Sequence, residues 1–305
     1  MGLFCCILEN MDYDLLPPTD DWVFKLLFGN ERNKSMLADL LGSFIDLPKD
    51  EYELTFLDTH LKPEAEGDKL GIVDVKVRTK SGKIIAIEIQ VHPVKNIGRR
   101  MSFYKSMLIV EQLGQGDPYS AIERVICVCI TCYEIFPKEI EYLNGFRFYN
   151  PKNGLCFEDI PEEIVTMELP KVPKEDDGSS GWEWLQFLRS RRREEFEMVA
   201  ERNIEIRKAV DTLYELSADE KVRGDYEMRQ KAWRDRLSQN EGYFMEGVKK
   251  GLTEGRIEGK LEGREEGKLE GREETARRAL AEGVSLELIQ KITGFDMDEI
   301  KALRS

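Results

Sequence analysis

The chain has 305 residues, of which 41% are hydrophobic and 34% charged, and a net charge of −14 at pH 7. That length and apolar content suffice for one sizeable core plus a second region. The acidity excludes nucleic-acid binding driven by charge over the whole surface, though not a local basic groove, and no apolar run reaches membrane-spanning length.

The opening stretch MGLFCCILEN has neither the basic flank nor the long apolar core of a signal peptide. It begins like a myristoylation site, but Cys6 stands where that motif has Ser or Thr. Met11 is an alternative start, and residues 1–18 are expected to be a disordered extension. Six cysteines sit at 5, 6, 127, 129, 132 and 156. Cys127, Cys129 and Cys132 interrupt VICVCITC, which reads as a buried strand, and no second Cys-x-x-Cys accompanies them as a zinc site would require. A reducing cytoplasmic compartment follows from this usage.

Thr19-Asp20-Asp21 precedes WVFKLLFG, a helix with its cap at Asp or Thr and its stop at Gly29. Asn33 to Phe44 reads as a second amphipathic helix, and Leu54 to Leu57 as a short strand. Two strands joined by a tight turn follow in GIVDVKVRTKSGKIIAIEIQV, from Gly71 to Val91. A three-residue loop, Lys80-Ser81-Gly82 with Gly82 left-handed, pairs Thr79 with Lys83. Counting back, Asp74 then faces Glu88, with Cβ atoms roughly 5 Å apart. Like charges placed so destabilise a hairpin unless a cation lies between them. A two-residue turn would part them, so the register decides the matter.

Arg99 to Leu113 has helical periodicity and ends at Gly114. Ile122 to Thr131 is a continuous apolar run, the mark of a strand buried on both faces. Phe146 to Phe157 reads as a hairpin around Asn150-Pro151-Lys152-Asn153-Gly154, and Ile164 to Leu169 as an edge strand. KVPKEDDGSSG, residues 171–181, has linker composition, and everything after Trp182 reads as helix. The expected divisions are a 19–170 core, the 171–181 linker, a 182–246 helical region, a 247–274 glycine-repeat helix and a 275–305 helical hairpin. A small mixed sheet flanked by helices accounts for the core.

Glycine recurs at every fourth position from Gly247 to Gly271. Each costs a helix about 1 kcal/mol relative to alanine. From Gly255 on, a basic stripe (Arg256, Lys260, Arg264, Lys268) flanks the glycine seam on one side and an acidic stripe (Glu254, Glu258, Glu262, Glu266) on the other. Two such helices packed seam to seam in parallel oppose basic to acidic, and small residues at this spacing favour close crossing. A parallel homodimer is the expectation, with a solvated helix the plainer alternative. The final two short helices carry a capping box at Asp296 and Glu299 and lack a basic recognition face, so they read as a packing hairpin rather than a DNA reader.

A convergent Asp and Glu suit a hard divalent cation such as magnesium, with the carbonyl of Ile89 as a further ligand. Gln90 shares the face of Glu88, where it would position the attacking water or contact phosphate. Alone, this spacing is weak. The ordered run TDDWVFKLLFG, GIVDVKVR, AIEIQ, RRMSFY, EQLGQGDPY and RVICVCITCYEIF resembles the Rpn family, the recombination-promoting nucleases also called PD-(D/E)XK nuclease family transposases. The likeness continues through MELPKV and AVDTLYELSADEKVRGDYEMRQKAWRD into the glycine tail. It implies a restriction-endonuclease-like α/β core that cuts DNA with magnesium, or manganese, in recombination or transposition. Asp74 matches the motif aspartate and Glu88 the acid of E-x-K, while Gln90 stands where the wider superfamily has lysine. Asp21 matches the N-terminal D-x-x-F-K helix, either as a helix cap or in catalysis. Lys25, Arg100 and Tyr104 match family positions read as substrate-binding, and Arg100 alternatively pairs with an acidic neighbour. A neutral amide at Gln90 cannot take a proton at pH 7. The alternative reading is a DNA-binding or regulatory protein that keeps the fold without cleavage.

Overall fold

The computed structural model describes residues 15–45, 47–61, 71–157 and 159–303. The expectations for Cys5, Cys6, Met11 and residues 1–14 lie outside them. The chain divides into two compact units, 1–228 and 229–305.

In the first unit, α1 (Asp21–Phe28) starts where Asp20, in extended backbone, accepts the amide protons of Trp22 and Val23, and it ends at Gly29. The helix cap is therefore Asp20, and Asp21 is an exposed first-turn residue. α2 spans Lys34–Gly42. Six strands form one sheet: β1 (Thr55–Phe56), β4 (Val75–Arg78), β5 (Ile84–Gln90), β6 (Val125–Thr131), β7 (Leu143–Phe146) and β8 (Glu162–Glu168). Their order is β1-β4-β5-β6-β8-β7. β5, β6 and β8 run parallel, and the other neighbours are antiparallel. β2 (His60–Leu61) and β3 (Gly71–Ile72) make a separate two-stranded sheet.

Strand β6 is buried along its whole length, as its unbroken apolar run requires. Its Cys127 and Cys129 carry free thiols packed in the core. β8, expected at an edge, lies inside the sheet between β6 and β7. The edge belongs instead to β7, whose four residues Leu-Asn-Gly-Phe carry little strand signal. The Asn150–Gly154 turn is present: the Asn150 amide donates to the Leu155 carbonyl at 2.8 Å, and Gly154 has φ +72°.

Alternation along β5 sorts its side chains between two layers. Ile85, Ile87 and Ile89 enter the main core with α1, α2 and later helices, while Ile84 and Ala86 enter a smaller one beneath α3 (Ile97–Val110). The sheet thus lies between one helix and a helical layer. The stretch 171–181, expected to separate two regions, instead joins parts of one core. Beyond it, α4 (Ser180–Arg189), α5 (Arg193–Ala200) and α6 (Ile204–Ala218) bury Trp184, Phe187, Phe196 and Leu213 in the same cluster as the sheet. Burying those aromatics outweighs the breaker composition of the connection. Leu15 and Leu16, placed by composition in an extension, also lie in this core, and the Leu16 amide donates to Ser217 Oγ at 2.9 Å.

The 62-residue α7 (Glu220–Ala281) carries the glycine repeat, and Ala276 is its buried residue. Among the described residues nothing lies within 4 Å of where a Cβ would stand at Gly247 or at any repeat glycine to Gly271. Ala276 joins Ile289 of α8 (Leu286–Thr293), Phe295, and Ile300 of α9 (Met297–Ala302) in a small core. Gly283 and Gly294 take positive φ at the helix stops, and the Asp296–Glu299 capping box is formed.

Candidate active site

Turn chemistry fixes the register of the β4–β5 hairpin. Gly82 has φ +99°, and its amide donates to the Thr79 carbonyl at 3.0 Å. The Thr79 amide donates to the Lys83 carbonyl at 2.9 Å, closing a three-residue loop. Pairing runs Arg78 with Ile84 through to Val75 with Ile87. The ladder ends there, and Asp74, the next residue, lies close enough to Glu88 for the two charges to act on each other.

At Asp74 the first arm leaves the ladder. Its amide donates at 3.1 Å to the carbonyl of Ile87, the residue Val75 already faces, so two residues address one, as in a bulge. The Val73 amide turns away to the Thr59 carbonyl at 3.1 Å, and β3 then pairs with β2. The expected unbroken strand from Ile72 to Val77 is therefore two pieces. Asp74 Oδ2 fills the gap by accepting the Ile89 amide proton at 2.8 Å. Amide and carbonyl of one strand residue point the same way, so the Ile89 carbonyl also faces this gap.

Both carboxylates are buried, Glu88 to 2% exposure and Asp74 to 8%. Lys25 Nζ lies 3.1 Å from Asp74 Oδ1. Glu88 Oε2 accepts from Gln90 Nε2 at 3.0 Å and from an Arg100 guanidinium nitrogen at 3.2 Å. Burial first, and the Asp74 charge second, push the Glu88 carboxyl up to about 8, against the pull of Arg100 and Lys25. Burial also raises Asp74, opposed by the Ile89 amide and Lys25, while the Asp21 charge adds to the rise. The Arg100 guanidinium lies 5.2 Å from the centroid of the Tyr104 ring, and Tyr104 itself is buried.

The structure therefore brings together two bonded groups, Lys25 with Asp74 and Gln90 and Arg100 with Glu88, whose acids are electrostatically coupled. Asp21 stands one turn before Lys25 on α1, and Tyr104 one turn after Arg100 on α3. Sequence reasoning passed over Lys95, exposed on the connection from β5 to α3, and Arg99, exposed in the first turn of α3. The basic run in KNIGRR was the available signal.

A divalent cation suits this donor set. Glu88 Oε1 is buried with no hydrogen-bond partner, and the neighbouring donors are hard oxygens. Asp74, Glu88 and the Ile89 carbonyl are the groups that would hold it. Among the described residues no three His, Cys, Asp or Glu side chains gather into a metal cage, so such a site would rest on two carboxylates and the main chain.

A mixed six-stranded sheet flanked by helices, with acids at the frayed end of its central hairpin, defines a restriction-endonuclease-like α/β protein. The family described as PD-(D/E)XK nuclease family transposase matches residues 18–242, and the chain belongs to it. Neither a curated protein nor a solved structure matches the chain.

Proposed function

We propose that this protein is a DNA endonuclease that hydrolyses phosphodiesters with magnesium, or manganese, and promotes recombination or transposition. The observation that carries the reading is the pair of neighbouring buried carboxylates, Asp74 and Glu88, with Glu88 Oε1 buried and unpartnered. Two ionised carboxylates this deeply buried repel each other, and a divalent cation relieves that repulsion. When bound, such an ion supplies Lewis-acid stabilisation of charge on the phosphoryl group. Asp74, Glu88 and the Ile89 carbonyl hold it, Gln90 and Arg100 keep Glu88 oriented, and Asp21 lies beside the pair on α1. Tyr104 supports the Arg100 guanidinium. Lys25, Arg100, Lys95 and Arg99 present a local cationic rim to the phosphate backbone, partly from the first turn of α3, where the helix dipole favours anions.

Titration calorimetry with Mn2+ tests this site. The full-length protein should bind the ion, and Glu88→Gln should lose it. Equal binding by that variant contradicts the assignment. The amide at Gln90 favours a second reading, a DNA-binding protein that keeps the fold without cleavage; such a protein binds duplex DNA with no metal-dependent nicking.

The exposed glycine seam of α7 supports a parallel homodimer, since only that arrangement sets the basic stripe against the acidic one. A Gly259→Cys variant should form a disulfide-linked dimer under oxidation, and its absence counts against a parallel seam. No helix among the described residues is long and apolar enough to cross a membrane. Free thiols at all four described cysteines support a cytoplasmic setting.

A further inference from the structure

We infer that Lys25 supplies from α1 the catalytic cation that Gln90 does not supply from β5, and that its ammonium meets the scissile phosphate. This inference rests on the nuclease reading above. The Gln90 amide is neutral and donates from Nε2 to Glu88 Oε2 at 3.0 Å, so on β5 it acts as a positioning group for the acid and brings no charge to the phosphate. Arg100 is committed to the same oxygen at 3.2 Å and lies over the Tyr104 ring. Lys25 pairs instead with the other acid: its Nζ stands 3.1 Å from Asp74 Oδ1, and its side chain, 36% exposed, is as exposed as that of Arg100. An ammonium has three donors, so one on Asp74 leaves others for an incoming phosphate oxygen. Asp74 cannot swing away, because its Oδ2 is tied to the Ile89 amide at 2.8 Å.

The base of the lysine is equally fixed. Phe24, Leu27 and Phe28 of α1 are completely buried, and Asp20 caps its start. The hairpin and α1 thus converge on one point from different parts of the sequence, an acid from one and a cation from the other. In the hydrolysis, water oxygen bonds to phosphorus, one P–O ester bond breaks, and a proton from the water ends on the departing oxygen. Lys25 stays charged throughout and stabilises the negative charge that builds on the phosphoryl oxygens.

The test moves the lysine. Lys25→Gln should slow nicking of supercoiled plasmid in Mg2+ by roughly 100-fold in kcat with KM little changed, as expected for one lost electrostatic contact. The double variant Lys25→Gln/Gln90→Lys should recover at least about 10-fold of that loss, because the cation returns to the same phosphate from β5. A lysine serving only as counter-ion to Asp74 gains nothing from such a swap. Mn2+ titration supplies a readout apart from activity: Lys25→Gln should still bind the ion, whereas Asp74→Asn should not. Should Lys25→Gln melt early, Lys25→Met keeps the apolar stem and takes its place.

Wild-type nicking rates in Lys25→Gln, with Asp74→Asn inactive, overturn the inference and leave the nuclease reading standing. A double variant as slow as Lys25→Gln overturns it too. If Asp74→Asn nicks like wild type, or no form nicks, the nuclease reading falls and takes the inference with it.

Discussion

The Asp74 carboxylate does the work of a main-chain carbonyl: its Oδ2 accepts the Ile89 amide proton at 2.8 Å where the first hairpin arm has left the ladder. The same side chain whose charge raises the Glu88 carboxyl also closes the sheet at this point. Site and fold are therefore coupled through one residue.

Substitutions at Asp74 should separate these roles. Asp74→Asn keeps an oxygen for the Ile89 amide, whereas Asp74→Ala leaves that buried donor unpaired. The alanine variant should be less stable than the asparagine variant by about 1–3 kcal/mol in urea denaturation. Equal midpoints would show that the Ile89 contact contributes nothing, and Asp74→Asn is the cleaner variant for activity work.

Glu88 makes stability fall as pH rises. Its folded carboxyl is raised from 4.5 to about 8, so between those values the unfolded chain has released a proton that the folded protein retains. The stabilisation is complete below pH 4.5, is lost through this window, and is gone above about 8. Glu88→Gln cannot ionise. In EDTA it should match wild type near pH 4.5 and be more stable at pH 8.5, by an amount on the order of 2–5 kcal/mol. Parallel stability curves for the two proteins across this range contradict the burial argument.

Burial pushes the Cys127 and Cys129 thiols up to about 12. Only the thiolate reacts readily with alkylating agents. In the native protein at pH 8 both should resist iodoacetamide for hours and react after denaturation, as mapped by mass spectrometry of tryptic peptides. Rapid native labelling would remove them from the core.

Much of the site's geometry was legible because short-range chemistry set it. Gly82 specified a three-residue loop, and that loop specified the register from Arg78–Ile84 to Val75–Ile87, which brings Asp74 near Glu88. The apolar run of β6 and the glycine stops at Gly283 and Gly294 were local signals of the same kind. What could not be read depended on distant parts of the chain. Nothing near Asp74 announces that Val73 will turn toward Thr59, so the break in the first arm was hidden. β8 reads as an edge strand only while β7 goes unseen, and the breaker-rich 171–181 stretch conceals that Trp184 and Phe187 return to the sheet's core. Lys25 carried family resemblance but no geometric signal, since its place beside Asp74 comes from how α1 packs on the sheet.

In the proposed reaction Asp74 and Glu88 hold the ion on which cleavage depends. Nicking of supercoiled plasmid by purified wild type, Asp74→Asn and Glu88→Gln proteins, in Mg2+ and in EDTA, tests this role most directly. Wild type should nick in Mg2+ and not in EDTA, and each variant should lose at least roughly 100-fold. Nicking that persists in EDTA, or that either variant sustains at the wild-type rate, would contradict that role.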